Sequence, residues 1–96
     1  MALKELWLSP RMANHDLQTR LRRVEEFVSD GNKVMLRVKF KGREMANPGL
    51  GHRILEKAFA ILGDKVGIER DVKFEGRSLT VILGKNKGVK KDENQT

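Results

Sequence analysis

The chain has 96 residues, enough for one domain with a single core and too few for two. It contains no cysteine, which excludes a disulfide framework, a thiolate nucleophile and a cysteine-rich zinc site. Lys and Arg number 20 against 13 Asp and Glu, a formal net charge of +7 that points to a polyanionic partner.

Lys4–Leu8 (K-E-L-W-L) is a short apolar run that stops at Ser9-Pro10, because proline cannot continue a ladder, and it reads as a first strand. Asn14 offers an N-cap oxygen and Asp16 an acid in the first turn. Leu17, Leu21, Val24 and Val28 then recur at helical spacing, so a helix is predicted over about 15–29. Gly31 is its left-handed stop. In Lys33–Lys41, Val34, Leu36, Val38 and Phe40 alternate with Lys33, Met35, Arg37, Lys39 and Lys41, the pattern of a half-buried strand.

Asn47-Pro48 pairs an N-cap with proline at the first helical position. Leu50, Ile54, Ala58 and Ile61 supply the apolar stripe of a second helix ending at Gly63. Ile68, Arg70, Val72 and Phe74 alternate with charged residues, and Ser78–Leu83 is a further apolar strand, so the pair predicts a hairpin turning near Gly76. Phe27, Phe40, Phe59 and Phe74 fall on apolar faces and read as core. Residues 85–96 have no periodicity and read as a flexible basic tail on a domain spanning 1–84.

The order β-α-β-α-β-β makes two strand-helix-strand units, which imply parallel pairing with both helices on one face of the sheet. The fold class is α+β, a two-layer α/β sandwich with an open sheet face. No apolar run approaches the ~20 residues of a membrane span, and Met1–Pro10 lacks the apolar stretch and cleavage site of a secretory signal. A soluble, cytoplasmic protein is expected.

The charge is not confined to the tail. Residues 85–96 hold four Lys and two acids, so the body keeps 16 basic against 11 acidic side chains. If Val34, Leu36, Val38 and Phe40 face the helices, a period of two turns Lys33, Arg37, Lys39 and Lys41 onto the open face, with no acid between them along the strand. Such a row suits phosphates, although an edge strand protected by lysine would look the same. Arg20 and Arg22 on the first helix lack a clear partner, whereas Arg23 can pair with Glu26 or with Asp16. Arg43 and Arg77 sit in Gly-Arg turns, Arg11 follows Ser9-Pro10, and Arg53 and Lys57 lie one turn apart on the second helix. Trp7, the only tryptophan, has the parity opposite to Leu6 and Leu8. Its ring can stack on a base or pack on a lysine stem.

Catalytic signals are weak. His15 and His52 have no partner at a metal-ligand spacing, and Ser9, Ser29 and Ser78 lack a nucleophile-elbow context. No glycine pattern matches a nucleotide loop. Glu25, Glu26, Glu44 and Glu56 sit where exposure is expected. No enzyme activity and no cofactor are predicted.

K-G-R-E-M-A-N-P-G-L-G (Lys41–Gly51), K-E-L-W-L-S-P, D-L-Q-T-R-L-R-R from Asp16, F-x-x-x-G-x-K-V from Phe27 and K-F-E-G-R-S-L-T-V-I-L from Lys73 occur in the order and spacing of one family. Over residues 3–84 the chain resembles the C-terminal domain of bacterial translation initiation factor three. The resemblance implies two helices on a four-stranded mixed sheet whose last strand is antiparallel to the others. It also implies a monomeric domain that binds the small (30S) ribosomal subunit through its 16S-type rRNA. There it prevents large-subunit association and supports start-codon and initiator tRNA selection. The family's RNA-contact positions fall on Arg20, Arg22, Lys39, Lys41, Arg43, Lys57 and Arg77. Lys39, Lys41 and Lys57 stand where arginine is frequent, Ser9 and Glu26 where some relatives carry arginine, and Asn47 replaces a common histidine. The family's N-terminal domain and lysine-rich linker are implied to be missing from this chain. A general RNA-binding module without ribosome specificity, or a basic face for an acidic protein, would share the same cations.

Overall fold

Alternation in the central strand sets the layers. The computed structural model, which describes residues 2–86, arranges β1 (Leu3–Leu8), α1 (Asn14–Ser29), β2 (Lys33–Lys39), α2 (Gly49–Leu62), β3 (Gly67–Glu75) and β4 (Ser78–Gly84) in that order. Short 3-10 turns at Gly42–Ala46 and Gly63–Lys65 flank α2. The sheet order is β1-β2-β4-β3, with β1 parallel to β2 and β4 antiparallel to both of its neighbours. The expected fold class and the antiparallel last strand are therefore observed. In the second strand-helix-strand unit β2 and β3 run the same way without touching, because β4 fills the place between them.

The register assigns each face. Lys4, Leu6 and Leu8 pair with Val34, Leu36 and Val38, which pair in turn with Leu83, Val81 and Leu79. Apart from the exposed Lys4, this set meets Leu17, Leu21, Val24 and Val28 of α1 and Ile54, Leu55, Ala58 and Leu62 of α2 in one core, completed by Phe40. Removing such side chains from water stabilises the fold by roughly 1.5–3 kcal/mol each. Gly51, buried at the start of α2, lies against the Phe40 ring and Leu79 so closely that a Cβ would collide with them. That approach seats α2 on the sheet.

Three glycines do the conformational work expected of them. Gly31 (φ 91°) and Gly63 (φ 56°) end the two helices, and Gly76 (φ 60°) opens the β3–β4 turn. Glu75 pairs with Ser78, leaving Gly76-Arg77 as a two-residue loop. Since among the described residues none other than glycine has a positive φ, the loop fits a type II′ turn.

Several expectations need correction. α1 is preceded by Ala13 and α2 by Pro48, and neither helix has a side-chain cap; Asn47 offers Leu50 its backbone carbonyl instead. β3 does not keep a simple alternation. Register shifts between Ile68 and Arg70 and between Arg70 and Lys73 put Arg70 opposite Ile82 on the open face, while Ile68 and Phe74 pair with the inward Leu83 and Leu79. Even so, Ile68 and Phe74 stay about half exposed, because β3 is an edge strand at the rim of the helical layer. Ile61 is also exposed, and Phe27 and Phe59 are only partly buried. At the expected tail, Asn86 Nδ2 donates to the Asp64 carbonyl at 2.8 Å; residues 87–96 of that tail lie outside the described residues.

Candidate nucleic-acid interface

The open face is not a bare cationic row, and this corrects the reading of β2 taken alone. Parity does turn Lys33, Arg37 and Lys39 outward, but the neighbouring strands bring carboxylates to meet two of them. Arg37 Nε lies 3.0 Å from Glu5 of β1, and its Nη2 lies 3.6 Å from Glu75 of β3. Lys33 is 3.2 Å from Glu69, and Lys73 is 3.3 Å from Glu75. Between them β4 presents Ser78 and Thr80, small enough for long side chains to cross over; Arg70 Nη2 donates to the Thr80 hydroxyl at 2.8 Å. These side chains cover β4, so Thr80 is fully buried on a face with no helix. A single-strand pattern cannot reveal such cross-strand partners. Glu5, which accepts from the Trp7 indole N–H and from Arg37, has its carboxyl held below the ordinary value by those two bonds.

The uncompensated charge lies at one end of the sheet. With β1, β2 and β3 running one way and β4 the other, Leu8, Lys39, Glu75 and Ser78 all lie at that end. α1 and α2 also begin there, adding the positive ends of their dipoles. A groove of about 790 Å³ opens there, lined by Trp7, Leu8, Ser9, Met12, Asp16, Thr19, Arg20, Lys39 and Lys41. Arg20 Nη1 reaches across to donate to the Trp7 carbonyl at 2.7 Å. Lys39 Nζ stands 4.5 Å from the centre of the Trp7 ring.

Next to the groove, the 3-10 turn holds Lys41 and Arg43 outward. Glu44 Oε1 accepts from the Lys41 backbone N–H at 2.8 Å, and its other oxygen lies 3.3 Å from Arg11 Nε. Glu44 is therefore tucked in, against the expectation that it faces solvent. Arg77 enters from the hairpin turn, its carbonyl accepting from Phe40 N–H at 2.9 Å. Phe74 and Phe40 stack with ring centres 5.8 Å apart, and His52 meets Phe74 edge-on at 6.4 Å.

Of the seven residues singled out in the sequence, Arg20, Lys39 and Lys41 share the groove, and Arg43 and Arg77 flank it. Lys57 lies along α2 at a cleft of about 250 Å³ that it shares with Arg11 and Arg53. Arg22 stands apart: two residues beyond Arg20 on a helix, it points about 200° away and is exposed. Arg23 does not pair with Glu26 but lies 5.5 Å from the Phe27 ring, as does Lys4 Nζ. Among the described residues none of the seven forms an ion pair, whereas Lys33, Arg37, Lys65, Lys73 and Arg11 all do. Trp7 and Arg11 were legible only as possibilities. Their proximity to the groove depends on how the loop after β1 turns, which no local pattern specifies.

The model of the translation initiation factor IF-3 C-terminal domain family matches residues 1–86. The chain belongs to that family. It is similar to translation initiation factor IF-3 of Anaeromyxobacter dehalogenans strain 2CP-C, 39% identical over 84 residues covering 88% of this chain and 36% of that protein. The Mycobacterium tuberculosis factor is 36% identical over 88 residues, covering 92% and 44%. The Bradyrhizobium diazoefficiens factor is 32% identical over 81 residues, covering 84% and 45%. The chain thus spans less than half the length of these curated relatives. As an IF-3 C-terminal domain it is part of a factor family named for translation initiation rather than for a catalysed reaction. Among its described residues no group of His, Cys, Asp and Glu is placed to hold a metal ion, and no helix is long and apolar enough to cross a membrane.

Proposed function

We propose that this IF-3 C-terminal domain docks on the small (30S) ribosomal subunit by setting the basic end of its sheet on phosphates of the 16S-type rRNA. It acts as a cytoplasmic monomer in a factor that prevents association with the large subunit and supports start-codon and initiator tRNA selection. The observation that carries this reading is the sorting of charge. Cations elsewhere on the open face are met by carboxylates, whereas Arg20, Lys39, Lys41, Arg43 and Arg77 gather at one end and, among the described residues, form no ion pair. Unpaired cations on a rigid frame lose little by exchanging water for phosphate, and each contact gains from counterion release. Arg20, Arg43 and Arg77 can each grip a phosphate with two donors, whereas Lys39, Lys41 and Lys57 act as point charges. Lys57, with Arg11 and Arg53, extends the contact over α2, and Arg22 supplies a separate one on the far flank of α1. Catalysis and cofactors have no part in the mechanism; residues 1–84 bind and 85–96 add basic charge.

The test is light scattering of subunit joining with and without the domain, alongside binding to isolated small subunits. The domain should bind subunits and slow joining, and Lys41→Ala with Arg43→Ala should weaken both. Equal affinity for subunits and for the same mass of random structured RNA would instead favour a general RNA-binding module.

A further inference from the structure

Docking of cations on phosphates leaves the aromatic part of the groove without a role. Trp7 is half exposed at the end of an edge strand, where a tryptophan is normally covered. Its indole N–H is donated to Glu5, which fixes the ring by its edge. Lys39 Nζ stands over one face of it. Beside the ring the groove has an apolar floor from Met12, and three cations, Arg20, Lys39 and Lys41, against the single acid Asp16. Its volume falls in the range of about 300–1,000 Å³ usual for clefts that hold a small ligand.

We propose that this groove takes one unpaired nucleotide, with its base stacked on the Trp7 indole and its phosphate held by Arg20 and Lys41. The inference rests on the RNA-docking reading and narrows it to a ligand class, a single-stranded or bulged nucleotide in place of a stem. A bare phosphate would make no use of the ring and the Met12 surface. A basic peptide would be repelled by the three cations. A base inside a stem has both faces covered by its neighbours, so only an unpaired one can present a face to the indole. Stacking of this kind tolerates any base, so the groove selects for single-strandedness and not for sequence.

Trp7 is the only tryptophan, so its fluorescence reports the groove directly. The whole chain is titrated with fluorescein-labelled oligoadenylate of about six nucleotides, and separately with a fully paired RNA duplex of equal phosphate count. Binding is read by anisotropy and stacking by tryptophan quenching. The single strand should quench; the duplex should bind without quenching. Trp7→Leu should lower oligoadenylate affinity about tenfold or more and leave duplex affinity unchanged, while Trp7→Phe keeps most of the single-strand affinity. Circular dichroism and melting confirm that both variants fold.

Oligoadenylate affinity unaltered in Trp7→Leu, or equal quenching by strand and duplex, would overturn the nucleotide site. If in that case Lys39→Ala and Lys41→Ala still weaken both RNAs, phosphate docking stands alone. If neither RNA binds, the docking reading falls and the nucleotide site with it.

Discussion

Lys41 owes its direction to an acid. Glu44 receives the Lys41 backbone N–H and pairs with Arg11, so one carboxylate ties the 3-10 turn to the loop after β1. If charge alone governed RNA affinity, removing this acid would strengthen binding. If the turn must be held for Lys41 and Arg43 to reach phosphate, Glu44→Ala weakens binding despite raising the net charge, and the weakening is the expected outcome in a subunit-binding titration. Glu5 offers a second residue-scale test. Hydrogen bonds from the Trp7 indole and then from Arg37 lower its carboxyl below the ordinary value of 4.5. A depressed folded value means that its contribution to stability is complete above the ordinary value and is lost as pH falls through the folded one. Trp7 fluorescence should therefore titrate with a midpoint below 4.5, and Glu5→Gln should abolish that transition.

At the scale of elements, β2 is the keystone, paired on both sides and buried along one face. Leu36→Ala should lower the unfolding free energy by about 2–5 kcal/mol in a denaturant titration, because Leu36 is fully buried and its truncation leaves a cavity in the core. β2 was readable from the sequence because Val34, Leu36, Val38 and Phe40 share one environment and their partners the other. β3 was not readable in this way: two bulges break its period, and an edge strand can bulge without disturbing a second neighbour. Asn14 and Asn47 failed as side-chain caps because each lies one residue away from the cap position, which Ala13 and Pro48 occupy. Lys39 and Lys41 were singled out together as part of one strand's row, and Arg20 separately on the first helix. Their convergence in one groove came from the parallel pairing of β1 with β2 and the start of α1, which are long-range facts.

For the whole molecule, the distinction is between charge that is spent internally and charge that faces outward. Binding to small subunits should fall with the logarithm of salt concentration. Neutralising Lys39 or Lys41 should reduce that slope by roughly 0.7–0.9 each, on the scale of nucleic-acid contacts. Lys33→Ala and Lys73→Ala should leave it unchanged, because Glu69 and Glu75 already meet those charges. Net charge alone predicts the same effect for all four, so the comparison separates location from sum.

The bond from Arg20 to the Trp7 carbonyl bears on solubility as well. The Ala2 carbonyl accepts from Lys33 of β2, so alternation turns the Trp7 carbonyl the other way, toward the unpaired border of the sheet. A guanidinium parked there denies a second chain the foothold it needs to extend the ladder, while the bulges of β3 spoil the opposite border. Arg20→Ala should thus promote self-association at high protein concentration, visible by sedimentation, in a domain whose melting temperature has barely moved.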